Sequence, residues 1–180
     1  MKNRRSNGIY FPRLPGAPAP LTARVVRPVL FSDVDPMGIV WFGRYPLFLE
    51  CGGGMLCNRT GLGYEPLLAA NLLAPIAKME VDYVRPLRLG EEITVAASMI
   101  WTGSAKLAIE YALTGPDGNI RAYAATTQMF LDATSGQPHW VTPPAVEAFN
   151  EKWRTGEFAC LQGGEENEYP ISNKEYPTPK

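Results

Sequence analysis

The chain is short of the residues that build metal centres and disulfide frameworks. Its 180 residues include three cysteines and one histidine. Cys51, Cys57 and Cys160 are odd in number and show no C-x-x-C spacing, so neither a disulfide scaffold nor a zinc site is expected. His139 alone cannot supply a His-rich metal site, and no cofactor is expected. An excess of one charge is missing too. Seventeen basic residues against 18 acidic ones leave a net charge of −1. Such a chain has no global field to concentrate nucleic acid or an anionic membrane, and neither is expected as a partner. No apolar run approaches the roughly 20 residues that a membrane span needs. The start, MKNRRSNGIYFPRLPGAPAP, is basic but lacks the apolar stretch of a secretory signal, so a cytoplasmic location is the expectation.

What is present suits one globular domain. Hydrophobic residues make up 46% and charged residues 19%, enough for a single core at this length. Residues 1–22 contain PRLPGAPAP and read as a flexible arm. Residues 23–158 form the expected domain, and the polar residues 159–180 read as a loose tail. A first strand is expected over 23–31, with Pro28 pointing to a sheet edge or a bulge. From about Phe42 to Asn58, Tyr45, Phe48, Leu49, Met55 and Leu56 recur at helical spacing, and Gly61 is a suitable stop.

Gly52, Gly53 and Gly54 lie inside this helix and cost about 1 kcal/mol each relative to alanine. That cost is tolerable where another element passes close by, so they read as packing positions against a sheet. A phosphate loop would need Lys and Ser/Thr after the glycines, and neither follows. Four segments beyond the helix alternate with period 2: 79–83, 93–101, 107–113 and 120–132. This pattern predicts antiparallel strands with one covered face. A short helix, PPAVEAFNEKW, follows. The order gives an α+β fold, one sheet around one helix.

The segment FSDVDPMGIVWFGRY, residues 31–45, carries the densest chemistry. Its pattern F-x-D-x-D-P-x-G-I-V-W-F-x-x-Y resembles the signature of the 4-hydroxybenzoyl-CoA thioesterase family of hot-dog proteins. VDYVRPLRLGEEITV at 81–95 resembles the strand–turn–strand that follows the helix in that family, and the likeness spans roughly residues 23–150. It implies a hot-dog fold: an antiparallel sheet of about five strands wrapped around one long central helix. It further implies homodimers or homotetramers with active sites between subunits, and hydrolysis of acyl-CoA thioesters. Asp35 aligns with the family's catalytic aspartate. Phe42 aligns with the residue whose backbone N–H polarises the thioester carbonyl; the family often carries Tyr or His there, but a main-chain donor survives the change. Pro36, Gly38, Trp41 and Tyr45 are among the matched positions. Glu50 reads as a structural hydrogen-bonder on the helix, and it is the second candidate because a helix-borne Glu is the catalytic residue of a different hot-dog branch. The turn W-T-G-S-A-K offers only Lys106 to the phosphates of CoA, with Arg85, Arg88 and Arg121 as other cations. The carrier is therefore open between CoA and an acyl-carrier protein.

The residue types suit this chemistry on their own terms. A helix N-terminus presents unpaired N–H groups and a partial positive charge to an oxyanion. A carboxylate beside it can attack the thioester carbon or activate a water. Thiolate leaves readily, so no catalytic histidine is required. Gly38 permits close approach to backbone, and Trp41 with Phe42 offers apolar surface to an acyl group. Plainer readings stand beside these. Asp35 before Pro36 is a common turn former, Asp33 reads as a cap or hydrogen-bonding neighbour, and Trp41, Phe42 and Tyr45 singly suit a core. A hot-dog dehydratase would need a histidine near the helix, whereas His139 falls near the last strand. An acyl-thioester binding protein without turnover is the alternative function.

Overall fold

Alternation of large apolar residues with small or polar ones carries five strands into one antiparallel sheet. The computed structural model describes residues 8–162. In chain order the elements are β1 (Leu21–Pro28), α1 (Tyr45–Thr60), α2 (Tyr64–Ala69), β2 (Leu72–Leu73), β3 (Ile76–Tyr83), β4 (Glu92–Ile100), β5 (Lys106–Thr114), β6 (Ile120–Met129), β7 (Leu131–Asp132), α3 (Pro144–Arg154) and α4 (Ala159–Gln162). The main sheet runs β1-β4-β5-β6-β3, with β2 and β7 forming a separate short pair. Its inner face is set by period 2: Ile93, Val95, Ala97 and Met99 on β4 face the core with Leu107, Ile109, Tyr111 and Leu113 on β5. Pro28 closes an edge strand, where its missing N–H costs no ladder bond.

Helix α1 lies on that face through Phe48, Leu49 and Leu56, all buried. Two of its three glycines are explained by contact. A Cβ at Gly52 would stand 2.8 Å from Val95 Cγ1, and one at Gly53 would stand 2.5 Å from the Tyr111 hydroxyl. The packing role expected of these two is what the structure shows. Gly54 has no neighbour within 4 Å of a Cβ position. Regular α-helix begins at Tyr45 rather than Phe42, because Phe42–Arg44 form a 3-10 turn that feeds into it. It ends at Gly61, whose φ of 75° is the left-handed cap that glycine allows without a steric cost.

The first strand starts at Leu21, two residues earlier than the periodicity suggested, and Leu21 is fully buried. Residues ahead of it lie along the outer face of the sheet. The Glu110 carboxylate, buried on that face, accepts the N–H groups of Tyr10 (2.8 Å) and Phe11 (2.9 Å) and pairs with Arg13 at 2.6 Å. The Tyr10 hydroxyl donates to Asp82 at 2.6 Å, and the Trp153 indole N–H donates to the Ala19 carbonyl at 2.9 Å. Small residues, Ala108 and Ala125 among them, keep that face flat enough for a backbone to lie on it. Residues 1–7 of the expected arm and 163–180 of the expected tail lie outside the described residues. At the other end, α4 buries Leu161.

Glu110→Ala is expected to release this strap: the Tyr10 and Phe11 amides should exchange with solvent faster, and the urea midpoint should fall by the equivalent of about 1–2 kcal/mol. Unchanged exchange at both amides would contradict the arrangement.

Candidate active site

Residues 34–40 form a tight hairpin, and the sequence Asp-Pro-Met-Gly makes its turn. Val34 bridges Val40, the Asp35 N–H donates to the Ile39 carbonyl at 2.9 Å, and the Gly38 N–H donates to the Asp35 carbonyl at 2.9 Å. Gly38 has φ of 72°, which favours glycine. Asp35 Oδ1 accepts the Met37 N–H at 2.8 Å. Turn former and candidate acid are therefore the same side chain. One oxygen secures the turn, while Oδ2 has no partner among the described residues.

Asp33 anchors the root of the hairpin. It is 2% exposed and receives Arg27 Nη2 at 3.1 Å on both oxygens, together with the Leu30 N–H at 3.0 Å. Its carbonyl accepts the Trp41 N–H at 3.0 Å. The Arg27 guanidinium lies 4.1 Å over the Phe48 ring. One cation thus joins β1, the hairpin and α1. The far side of the hairpin rests on the segment after β3: Val40 N–H donates to Leu87 at 2.9 Å, and Ile39 bridges Arg88.

From this anchored hairpin the chain runs directly into the helix start. Trp41 is extended, and its carbonyl accepts the Arg44 N–H at 2.8 Å. The N–H groups of Phe42 and Gly43, first in the helical run, have no intrahelical acceptor and carry the positive end of the dipole. Trp41 is 48% exposed and Phe42 67% exposed, with ring centroids 5.1 Å apart. Phe31, the first residue of the motif, and Met37, which received no role from the sequence, are also exposed. Their signal was a large apolar residue at a turn or a one-turn helix, where burial is not available.

Asp35, Pro36, Gly38, Trp41 and Phe42 thus share one continuous segment. Tyr45 is instead a core residue, 3% exposed and edge-on to Tyr83 at 4.8 Å. Burial, with Tyr83 beside it, pushes the phenol up to about 12, so it is uncharged at neutral pH. Glu50 is exposed on the second turn of α1. Lys106 does not join the group within one chain. Glu92 and Pro28 pair at the hairpin end of the sheet, whereas Lys106 starts β5 beyond the opposite end of the nine-residue β4. That separation is roughly 25–30 Å at the rise of a strand. Among the arginines, Arg121 is occupied by Glu91 (3.0 Å) and Asp117 (3.2 Å). Arg88, at the hairpin end, has an exposed guanidinium with no partner among the described residues. No cluster of three His, Cys, Asp or Glu side chains able to hold a metal occurs among the described residues.

A family described as the thioesterase-like superfamily matches residues 29–152. The chain belongs to the thioesterase-like superfamily. The curated protein "Putative acyl-CoA thioesterase YneP" of Bacillus subtilis (strain 168) is 26% identical over 110 residues, covering 61% of this chain and 80% of that protein. Among solved structures, a DHNA-CoA thioesterase from Staphylococcus aureus superposes with a TM-score of 0.67 at 14% identity, covering 82% of this chain and 97% of the other. The protein SAV2348 from the same organism, solved in complex with CoA, gives 0.65 at 12% identity, covering 91% and 98%. At these identities the structures establish the fold, and the hot-dog arrangement expected from the sequence is what this superfamily member adopts. No helix among the described residues is long and apolar enough to cross a membrane.

Arg27→Met should leave the Asp33 carboxylate buried without a counter-ion and destabilise this thioesterase-like domain by about 3–5 kcal/mol. Combining it with Asp33→Leu should recover part of that loss, since no charge is then stranded. Additive losses in chemical denaturation would show that the two side chains do not act as a pair.

Proposed function

We propose that the protein hydrolyses an acyl-CoA thioester at Asp35, within the 4-hydroxybenzoyl-CoA thioesterase branch that its motif resembles. The observation that carries this reading is the half-engaged carboxylate: Asp35 is held through Oδ1 by Met37 while Oδ2 is unpartnered, on a hairpin that leads straight into the helix start. The thioester carbonyl oxygen would meet the Phe42 and Gly43 N–H groups, which stabilise the charge that grows there. Oδ2 would attack the carbonyl carbon as the C–S bond breaks to release CoA thiolate, leaving a mixed anhydride that water then hydrolyses to the free acid and Asp35. Alternatively, it would take a proton from a water that attacks the carbon directly, with the same C–S bond breaking. Trp41 and Phe42 would face the acyl group, with Pro36 and Gly38 shaping the approach.

A homodimer or homotetramer is part of this reading. Phe31, Met37 and Phe42 expose large apolar surface around the hairpin, which a second copy would cover. Lys106 is a strand length away in its own chain, so its contribution to the phosphates or to a carrier protein would come from another copy. Arg88 is a nearer cation for the same role. The acyl-CoA assignment draws further support from the name carried by the B. subtilis relative. The alternative, an acyl-thioester binding protein without turnover, is favoured by the use of Asp35 Oδ1 in the turn.

Asp35→Asn separates them. Asparagine keeps an oxygen for the Met37 N–H, so the hairpin and the thermal midpoint should be preserved while thioester hydrolysis falls at least about 100-fold. Glu50→Gln should cost far less. Equal rates for wild type and Asp35→Asn would remove Asp35 from the chemistry, and no turnover of any acyl-CoA or carrier-protein thioester would favour the binding role.

A further inference from the structure

Gly43 is a glycine without a backbone reason. It lies in the 3-10 turn with no positive φ, and it is exposed, so neither left-handed geometry nor core packing demands it. A helical turn with alanine in that place would be more stable by up to about 1 kcal/mol. What the missing side chain admits is the Trp41 indole. A Cβ on Gly43 would stand 2.5 Å from Trp41 Cη2 and 2.8 Å from Cε3, with Cζ3 against it as well. The six-membered ring of Trp41 therefore lies folded back against the helix start, on the residue whose N–H is one of the two free donors.

The Trp41 backbone cannot shift to make room, because its N–H is bound to Asp33 and its carbonyl to Arg44. Only the side-chain torsions are free. Any residue larger than glycine at 43 must rotate the indole off the helix start.

The geometry points to Gly43 as a specificity-determining residue: by parking the Trp41 indole it keeps the space between Asp35 and the helix start open to acyl groups larger than acetyl. This rests on the thioesterase reading of the same site and adds to it the class of acyl group accepted, together with the residue that sets it. With a side chain at 43 the displaced indole would occupy that opening, excluding bulky acyl groups and leaving small ones room.

The test uses the full-length Asp35→Asn protein, which should bind thioesters without turning them over, titrated calorimetrically with benzoyl-CoA and with acetyl-CoA. Adding Gly43→Ala should weaken benzoyl-CoA at least about tenfold, the scale on which a pocket senses a small change in volume, and change acetyl-CoA less than about twofold. Trp41→Ala should cancel the effect, so that Gly43→Ala costs nothing in its absence. Equal weakening of both ligands, no weakening of either, or a residue-43 effect that persists without Trp41 would each overturn the inference alone. Failure of the Asp35→Asn protein to bind either thioester would overturn the functional reading and the inference with it.

Discussion

The hairpin that carries Asp35 depends on one buried ion pair. Arg27 at the end of β1 reaches Asp33 at the root of the hairpin and covers Phe48 on the first turn of α1. Removed from water, both charges lose hydration. Their mutual attraction, the Leu30 N–H and the aromatic face offset that loss only while all three elements keep their places. The pair therefore acts as a register pin. If the hairpin slid by one residue the carboxylate would be stranded, so the position of Asp35 relative to the helix start follows from Asp33, two residues away.

The second constraint is how close α1 comes to its sheet. Gly52 and Gly53 let Val95 and the Tyr111 hydroxyl approach distances that a Cβ would forbid. Removing two side chains weakens the intrinsic helix but brings the whole of α1 deeper into the curve of the sheet, where Phe48, Leu49 and Leu56 are fully covered. On the outer face, Ala108 and Ala125 leave room beside Glu110 for the strap that this carboxylate anchors. A helix packs on one face and an extended segment lies on the other, while the hairpin end stays uncovered.

That open end carries the residues of the proposed site. Asp35, the first helical N–H groups and the Trp41–Phe42 pair come from one short segment, while Lys106 stands at the far end of β4 and β5. The exposed apolar rim around the hairpin is the surface that the proposed second copy would cover.

Much of the fold was legible in the sequence. Period-2 alternation marked β3 to β6, three- and four-residue spacing marked α1, Gly61 marked its end, and two of the three helix glycines, Gly52 and Gly53, announced a close neighbour. Each of these signals is local, since side-chain direction repeats with backbone geometry whatever the partner. The turn at Asp35 and Pro36 was readable for the same reason, whereas its closure into a hairpin by Val34 and Val40 was not. Tertiary structure alone decided which distant groups meet: Arg27 with Asp33 and Phe48, Glu110 with residues 10–13, Trp41 folded on Gly43, Tyr45 turned into the core, and Lys106 held away from the hairpin. A charge or an aromatic ring in a sequence states what it can bind, not what it reaches. Which partner it reaches is set by chain reversals far along the sequence, and no local period records them.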